Sequence, residues 1–551
     1  MNGDMERAAK SPGNAESGEL LGYLREKGVC FWLEGDNLHF RAPKGAIGEA
    51  DVKRIKEQKQ ELVRLLTADF KGPVKENLRK ACRTPLSYSQ LQHWNFYGLD
   101  SRPAVRHLAY ATRLQGDLHI VGLCESVSVA VRRHDALRTR VVIHDGLPFQ
   151  AIDAESHGEL LVEDFTDAST EHPLKLIRKR IQQIILQPIN PAQGPLAAFY
   201  LFRLSASSHI FFLTMEHMVS DMWSLEVLIA EIFTAYDQFC RTGHSILPPI
   251  RQQFSDYAIK QREGESAWVS RNLGFWNSQL DGCGRTRFPS DVTEFAATGA
   301  IWNSVAVRID PSLMERLEAW SRQHQVTAVI SMFSAYSALV LRWCNVTDTV
   351  IRFESNGRDG AESDGTIGYF TCPLYIRVKI SSDIALSRLV QQIKETYFEA
   401  LEHADHSYLE ARTPRPSFSY NTAFNWVPER DESQTSELAG GLRRSHFEFI
   451  NPFLAKIERD TEPFILVGRD AANTLAHLEC HDATGLDSSS DGEPSTRQGA
   501  PNLAPPVIRV YFPKHRFRAE TMERYSRNFV AFVRILIEEE NRFLGTVTLV
   551  E

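Results

Sequence analysis

The chain has 551 residues, 43% hydrophobic and 24% charged, ordinary proportions for a globular protein but too long for one core, so several domains are expected. A formal net charge of −8 argues against nucleic acid as the main partner. No apolar run approaches the roughly 18 residues of a membrane span, and the opening MNGDMERAAKSPGN lacks a signal-peptide core. Eight scattered cysteines without a C-x-x-C pair read as reduced thiols of a cytoplasmic protein.

Residues 1–17 are small and polar and are expected to be disordered. Leu20, Leu21 and Leu24 then mark one face of a short helix that stops at Gly28. Val29 to Leu33 is a predicted strand, Glu34 to Asn37 a turn, and Leu38 to Arg41 a second strand, the pattern of a β-hairpin. After Ala42-Pro43-Lys44-Gly45 comes a second helix. Val52, Ile55, Leu62, Val63, Leu65 and Leu66 are its apolar positions, and Lys53, Arg54, Lys56 and Lys59 its exposed ones. From charge alone, that basic face is a solvated surface.

This unit, residues 18–68, resembles the TubC-type N-terminal docking domain. The resemblance rests on Leu20-Leu21-x-x-Leu24, Gly28-Val29, Trp32-Leu33-Glu34-Gly35 and Arg41-Ala42-Pro43-Lys44-Gly45 before a Leu-rich helix. It implies a partner, the short acidic C-terminal peptide of an upstream synthase subunit. That peptide would add as a strand to the hairpin edge, at a docking surface of Trp32, Lys44, Lys53 and Arg54.

Residues 69–83 are polar and basic, a linker. Beyond them lie Pro85-Leu86-Ser87-Tyr88-Ser89-Gln90-x-x-x-Trp94 and Arg133-His134-Asp135-Ala136-Leu137-Arg138-Thr139. The second of these reads as a helix end, with His134 and Arg138 structural. Ile210 to Thr214 is a buried strand, and Leu225, Leu228, Ile229, Ile232, Phe233 and Tyr236 lie at helical spacing. Between them, Glu216-His217-Met218-Val219-Ser220-Asp221-Met222-Trp223-Ser224 forms a strand-to-helix connection. A His and an Asp can point into a cleft there, beside the N–H groups of a helix start. Further on stand Phe254-Ser255-Asp256-Tyr257-Ala258-x-x-Gln261, Asn356-Gly357-Arg358, Ile367-Gly368-Tyr369-Phe370-x-x-x-Leu374-x-x-Arg377, His403 to Glu410, and Phe424-Asn425. A Ser-, Gly-, Asp- and Pro-rich loop is expected over 482–505, then a strand Val507 to Phe512 and a helix Met522 to Glu540.

Taken in order, these stretches resemble the motifs of nonribosomal peptide synthetase condensation domains. The central one is similar to HHxxxDG, with Glu216 for the first His, His217 for the second, Asp221 for the Asp and Met222 for the Gly. The resemblance implies an α/β fold of two chloramphenicol-acetyltransferase-like lobes in a V, here residues 84–255 and 256–551, behind a small α-β-hairpin-α docking domain. It implies an acyltransferase in which a carrier protein delivers an acyl thioester on phosphopantetheine to an amine or hydroxyl nucleophile. An aminoacyl carrier is one source of that nucleophile.

In this reading no cofactor is bound, and the chain is a free-standing condensation domain. His217 is the catalytic residue, accepting the nucleophile's proton. Glu216, Asp221, Met222, Trp223, Ser224 and Arg358 support it: N–H groups near Met222 face the oxyanion, and Asp221 pairs with Arg358 of the other lobe. Glu216 is expected to raise the proton affinity of His217. The spacing of His403 and His406 is not read as a metal site, since no third ligand is evident. Three readings stay open: amide formation, ester formation, and a non-catalytic docking or gatekeeping module. Heterocyclisation, with Glu216, Asp221 and Ser224 at the three positions of DxxxxDxxS, is a fourth and less favoured one.

Overall fold

A computed structural model describes residues 20, 23–24, 30–34, 37–41, 47–60, 84–97, 107–144, 147–167, 172–187, 189–284, 286–292, 302–358, 360–381, 384–404, 422–426, 436–447, 463–468 and 507–550. The expected disordered start, the linker, the 482–505 loop, Lys44 and His406 lie outside the described residues.

In the N-terminal unit, β1 (Cys30–Glu34) and β2 (Asn37–Arg41) pair antiparallel with Glu34 opposite Asn37. The strands therefore run two residues closer together than the expected four-residue turn, the spacing of a tight hairpin. Helix α1 (Glu49–Glu57) follows, with Ile55 and Asp51 buried and Lys53 and Arg54 exposed.

Next come β3 (Thr84–Pro85), α2 (Tyr88–Tyr97), β4 (His107–Gln115), α3 (Ile120–Arg133), β5 (Thr139–His144), β6 (Leu147–Ile152), β7 (Leu160–Asp164) and α4 (Pro173–Leu186). They are followed by β8 (Ala197–Ser205), β9 (Ser208–Glu216), α5 (Met222–Thr242), α6 (Phe254–Glu263) and α7 (Glu265–Leu280). The apolar run in β9 is continuous because both of its faces are covered. Phe211, Leu213 and Met215 point into a core shared with α3 and α5, while Ile210 and Phe212 join Ile177, Ile181 and Ile184 of α4 on the other side. Helix α5 buries Leu225, Leu228, Ile229, Ile232, Phe233 and Tyr236 and ends at Gly243, whose φ of 79° supplies the left-handed cap.

The second half contains β10 (Trp302–Arg308), α8 (Pro311–Gln323), α9 (Ala328–Cys344), β11 (Asp348–Ser355), β12 (Cys372–Lys379), α10 (Leu386–Glu402), β13 (Thr422–Trp426), β14 (Ser436–Glu437), β15 (Arg443–His446), β16 (Phe464–Gly468), β17 (Val507–Pro513) and α11 (Ala519–Glu538). Its sheet runs β10-β17-β16-β13-β11-β12, and α9, buried from Ile330 through Leu341, fills the core beneath it.

The first sheet has the order β14-β15-β4-β9-β8-β7, so two strands from the second half complete it. Arg443 to His446 of β15 pair with Thr112 to Gln115 of β4. A boundary at residue 255 therefore does not divide the chain into two separate sheets, because pairing between strands over 300 residues apart leaves no local pattern. Among the described residues, no single helix is long and apolar enough to cross a membrane.

Candidate active site

Strand β9 ends at Glu216, and a single 3-10 turn, His217–Val219, carries the chain to Asp221, the N-cap of α5. Ser220 closes the turn: its hydroxyl donates to the Glu216 carbonyl (2.9 Å) and its N–H to the His217 carbonyl (3.3 Å). Asp221 Oδ1 accepts the Ser224 N–H at 2.8 Å, satisfying one of the free donors of the helix start.

The second half of the chain reaches over this cap. Asp221 Oδ2 accepts the Phe370 N–H (3.0 Å), and Oδ1 faces Arg358 Nη2 at 3.2 Å, with both side chains almost fully buried. Ser224 Oγ lies 2.7 Å from Asp221 Oδ1 and 2.8 Å from the Gly368 carbonyl, and it accepts from the Gly368 N–H and Arg358 Nη2 at 3.0 Å each. Arg358 also donates to the carbonyls of Ser363 and Thr366 and stacks over Phe370 at 4.2 Å. Burial pulls this guanidinium below its ordinary value, and the Asp221 carboxylate opposes the shift. A buried charge is tolerated only when it is paired and hydrogen-bonded in this way.

Two glycines permit the crossing. A Cβ on Gly368 would lie 2.0 Å from the Phe254 ring. Gly357 has a φ of 62°, and a Cβ there would meet the Phe370 carbonyl oxygen at 1.9 Å.

At the other end of the turn, Glu216 is fully buried. Its Oε2 accepts the Met218 N–H and its Oε1 lies 3.2 Å from His93 Nε2, on α2. His93 packs at 5.9 Å from the His217 ring and 5.8 Å from Tyr369, and Tyr369 meets His217 edge-on at 4.8 Å. Three imidazole and phenol rings from three distant segments thus meet at this turn. The His217 Nδ1 edge is buried. Burial pulls the His217 proton affinity below its ordinary value, and His93 pushes the same way. A hydrogen bond to its own backbone, Glu216 and Asp221 act in opposition and are outweighed. Glu216 does raise this imidazole, as expected, but the net shift is downward. Its carboxylate is engaged by Met218 and His93, and desolvation is the largest effect.

Met222 is half-buried against the first-lobe core, and Trp223 donates from Nε1 to the Asp364 carbonyl at 2.8 Å. The remaining motifs converge on the same frame. His134 Nε2 meets Glu231 at 2.7 Å, Ser255 Oγ donates to Asp135, and Tyr257 packs on Phe370 at 4.7 Å. Of the residues expected at a docking surface, Lys53 lies 3.8 Å from Glu57 and Arg54 sits 6.0 Å from the Tyr23 ring, while Trp32 is placed by its backbone in β1. Sequence reasoning missed His93 and Tyr369. One signal was available for His93: a buried carboxylate in place of the first motif His requires a donor or cation nearby.

Two parts of the chain thus meet over a capped His turn. Residues 81–427 match the model of the Condensation domain and residues 18–67 that of the TubC N-terminal docking domain. The chain belongs to the condensation-domain family, the acyltransferases of nonribosomal peptide synthesis, and carries a TubC-type docking domain.

It is 27% identical over 404 residues to a subunit of the linear gramicidin synthase of Brevibacillus parabrevis, covering 72% of this chain and 8% of that one. It is 28% identical over 337 residues to enniatin synthase of Fusarium equiseti, covering 61% and 10%. The chain thus spans a tenth or less of the length of these relatives. Among solved structures, the X-domain from teicoplanin biosynthesis superposes with a TM-score of 0.67 at 20% identity, covering 85% of this chain and 98% of that one. The condensation domain of the monacolin K polyketide synthase superposes with 0.64 at 15%, covering 84% and 99%. These superpositions show the two-lobed chloramphenicol-acetyltransferase-like fold.

Proposed function

We propose that this chain joins a carrier-bound acyl thioester to an amine or hydroxyl nucleophile, with His217 as the base. The observation that carries the reading is an imidazole of lowered proton affinity at a turn capped from the other lobe by Arg358. Such a ring is neutral near pH 7 and ready to accept a proton. The nucleophile attacks the thioester carbonyl as His217 takes its proton. Ser224 N–H is occupied by Asp221, so the N–H groups of Met222 and Trp223 are the donors at this helix start for the tetrahedral oxyanion. Collapse breaks the C–S bond, and the departing thiolate recovers the proton from His217. Asp221, Ser224 and Arg358 hold the frame and do not touch the reacting atoms. Because a thioester is already activated, positioning of the two substrates supplies much of the rate.

The docking domain supports capture of an upstream subunit through a short acidic C-terminal peptide. It would add to the β1–β2 hairpin, with Lys53, Arg54 and Lys44 meeting its carboxylates.

The test is intact-mass analysis of an acyl-loaded carrier bearing such a tail, incubated with the protein and a panel of amines, alcohols and aminoacyl carriers. Acyl loss matched by a new product, and reduced at least about 100-fold in His217→Ala, is the expected result. Lability of the product to mild base separates ester from amide. Tail binding without transfer by either protein, across cognate substrates, would replace this reading with the docking and gatekeeping one.

A further inference from the structure

The site holds a second imidazole that the reaction above does not use. Helix α2 lies against the active-site turn through one face, on which Gln90 and His93 are three residues apart. Gln90 Nε2 donates to the Met218 carbonyl at 3.1 Å, and His93 Nε2 meets Glu216 Oε1 at 3.2 Å. The other Glu216 oxygen takes the Met218 N–H. Residues on either side of His217 are therefore tied to one helix face, Met218 through its carbonyl and Glu216 through its carboxylate. Beneath them Met218 packs on Leu86 and Val141, with Leu91 and Trp94 of α2 alongside.

We propose that His93 is a positioning residue for His217, forming with the buried Glu216 a pair that fixes the turn and places a second imidazole against the base. The proposal rests on the acyl-transfer reading of the same site. It explains how the chain tolerates a carboxylate where the motif has its first His. Unpaired, a buried Glu216 would be strongly destabilising; paired with His93, it closes the turn by accepting two hydrogen bonds.

The charged and titratable groups around His217 are His93 from α2, Glu216 from β9, Asp221 with its partner Arg358 at the start of α5, and Tyr369 from the crossing segment. His107 of β4 stands opposite Glu216 in the ladder, and burial holds it below its ordinary value, so it offers the carboxylate no competing cation. His93 is the neighbour that, beside burial, disfavours a charge on His217.

Four proteins separate these roles: wild type, His93→Leu, His93→Gln and the double variant His93→Leu/Glu216→His, which restores the motif's own pair. Each is assayed for kcat and KM of acyl transfer against pH, and for the His217 ring titration by NMR. His93→Leu should lose kcat by about 10- to 100-fold with KM little changed, the effect of a misplaced base. Its His217 titration should move upward. His93→Gln keeps a donor for Glu216 and should recover kcat at pH 8 to within a few-fold, while its His217 titration still moves upward. The double variant should recover most of the kcat lost by His93→Leu.

A wild-type kcat and an unmoved His217 titration in His93→Leu would overturn the proposal. So would equal loss in His93→Gln and His93→Leu with no change in titration, the result of simple structural damage. If His217→Ala transfers as well as wild type, the reading of His217 as the base fails instead. The NMR titration needs no turnover, so it judges the pair even then.

Discussion

Glu216 and Asp221 are both buried carboxylates, five residues apart on one turn, yet they are held by different parts of the chain. Asp221 is bound by the second half: Arg358, the Phe370 N–H and, through Ser224, Gly368. Glu216 is bound within the first lobe, by His93 of α2 and the adjacent Met218 N–H. The Asp221 end has a cation that cannot lose its proton near neutral pH. The Glu216 end has an imidazole in place of a guanidinium. One end of the turn is therefore tied across the lobes by a fixed charge, and the other is held within the first lobe by an imidazole–carboxylate contact.

The largest loss is expected from Arg358→Leu. It leaves Asp221 as an uncompensated buried charge, and loss of one partner of such a pair costs about 3–5 kcal/mol. Denaturant unfolding should show that loss. A lysine at 358 should not restore it, because one guanidinium meets Asp221, Ser224 and two carbonyls at once. By contrast, the pair between Arg377 and Asp348, at 2.6 Å but partly exposed, should cost only about 1 kcal/mol when broken.

A smaller effect is expected from Gly368→Ala. The added methyl meets the Phe254 ring and lifts the crossing segment from the Asp221 end without removing any charge. Overpacking of this kind costs about 1–3 kcal/mol. The Gly368 bonds to Ser224 should weaken with it, so kcat should fall while the His217 titration stays in place.

Acid should act on the Glu216 end first. Burial lowers both His217 and His107 from the ordinary 6.5. Below 6.5 the unfolded chain takes up protons that the folded chain does not, so stability falls as pH drops from there toward the folded values. Each such group contributes a slope of up to about 1.4 kcal/mol per pH unit. His209, lowered at the far end of β9, adds to the same slope, so site-resolved NMR is needed to separate it. Transfer should persist on the acid side of 6.5, because His217 remains neutral there. An acid limb above 6.5 would show that Glu216 governs the ring after all.

The Asp221 end was legible in the sequence because its residues sit in short motifs with fixed spacing: Asp221 with Ser224, Arg358 after Gly357, Phe370 after Gly368. The frame around it was legible too, since β9 and α5 carry clear periodicities. The Glu216 end was not. His93 falls at a variable position of its stretch, between Gln90 and Trp94, and only the packing of α2 on the turn brings it to Glu216. The fall of the His217 proton affinity was missed for a related reason. Adjacency in sequence put a carboxylate beside the ring, whereas burial and a neighbour 124 residues away outweigh it. The exchange of β14 and β15 into the first sheet is likewise a long-range pairing that no local pattern announces.

The smallest expected effect concerns how much of the cross-lobe tie lies outside the buried charge. Trp223 donates to the Asp364 carbonyl at 2.8 Å in an exposed setting, the next contact outward from the Arg358 cluster. Water can replace that bond, so Trp223→Phe should cost only about 0.5–1 kcal/mol, within the range for one ordinary hydrogen bond. Combined with Arg358→Leu, the two losses should fall short of their sum, since Arg358 also lies 5.9 Å from the Trp223 ring and both grip the 358–366 segment. Combined with His93→Leu, they should add, because α2 meets the crossing segment at Tyr369 and Thr371, beyond the Gly368 crossing from the Trp223 contact. A strong coupling between Trp223 and His93 would mean that the two ends of the turn move as one unit, and the division drawn between them would not stand.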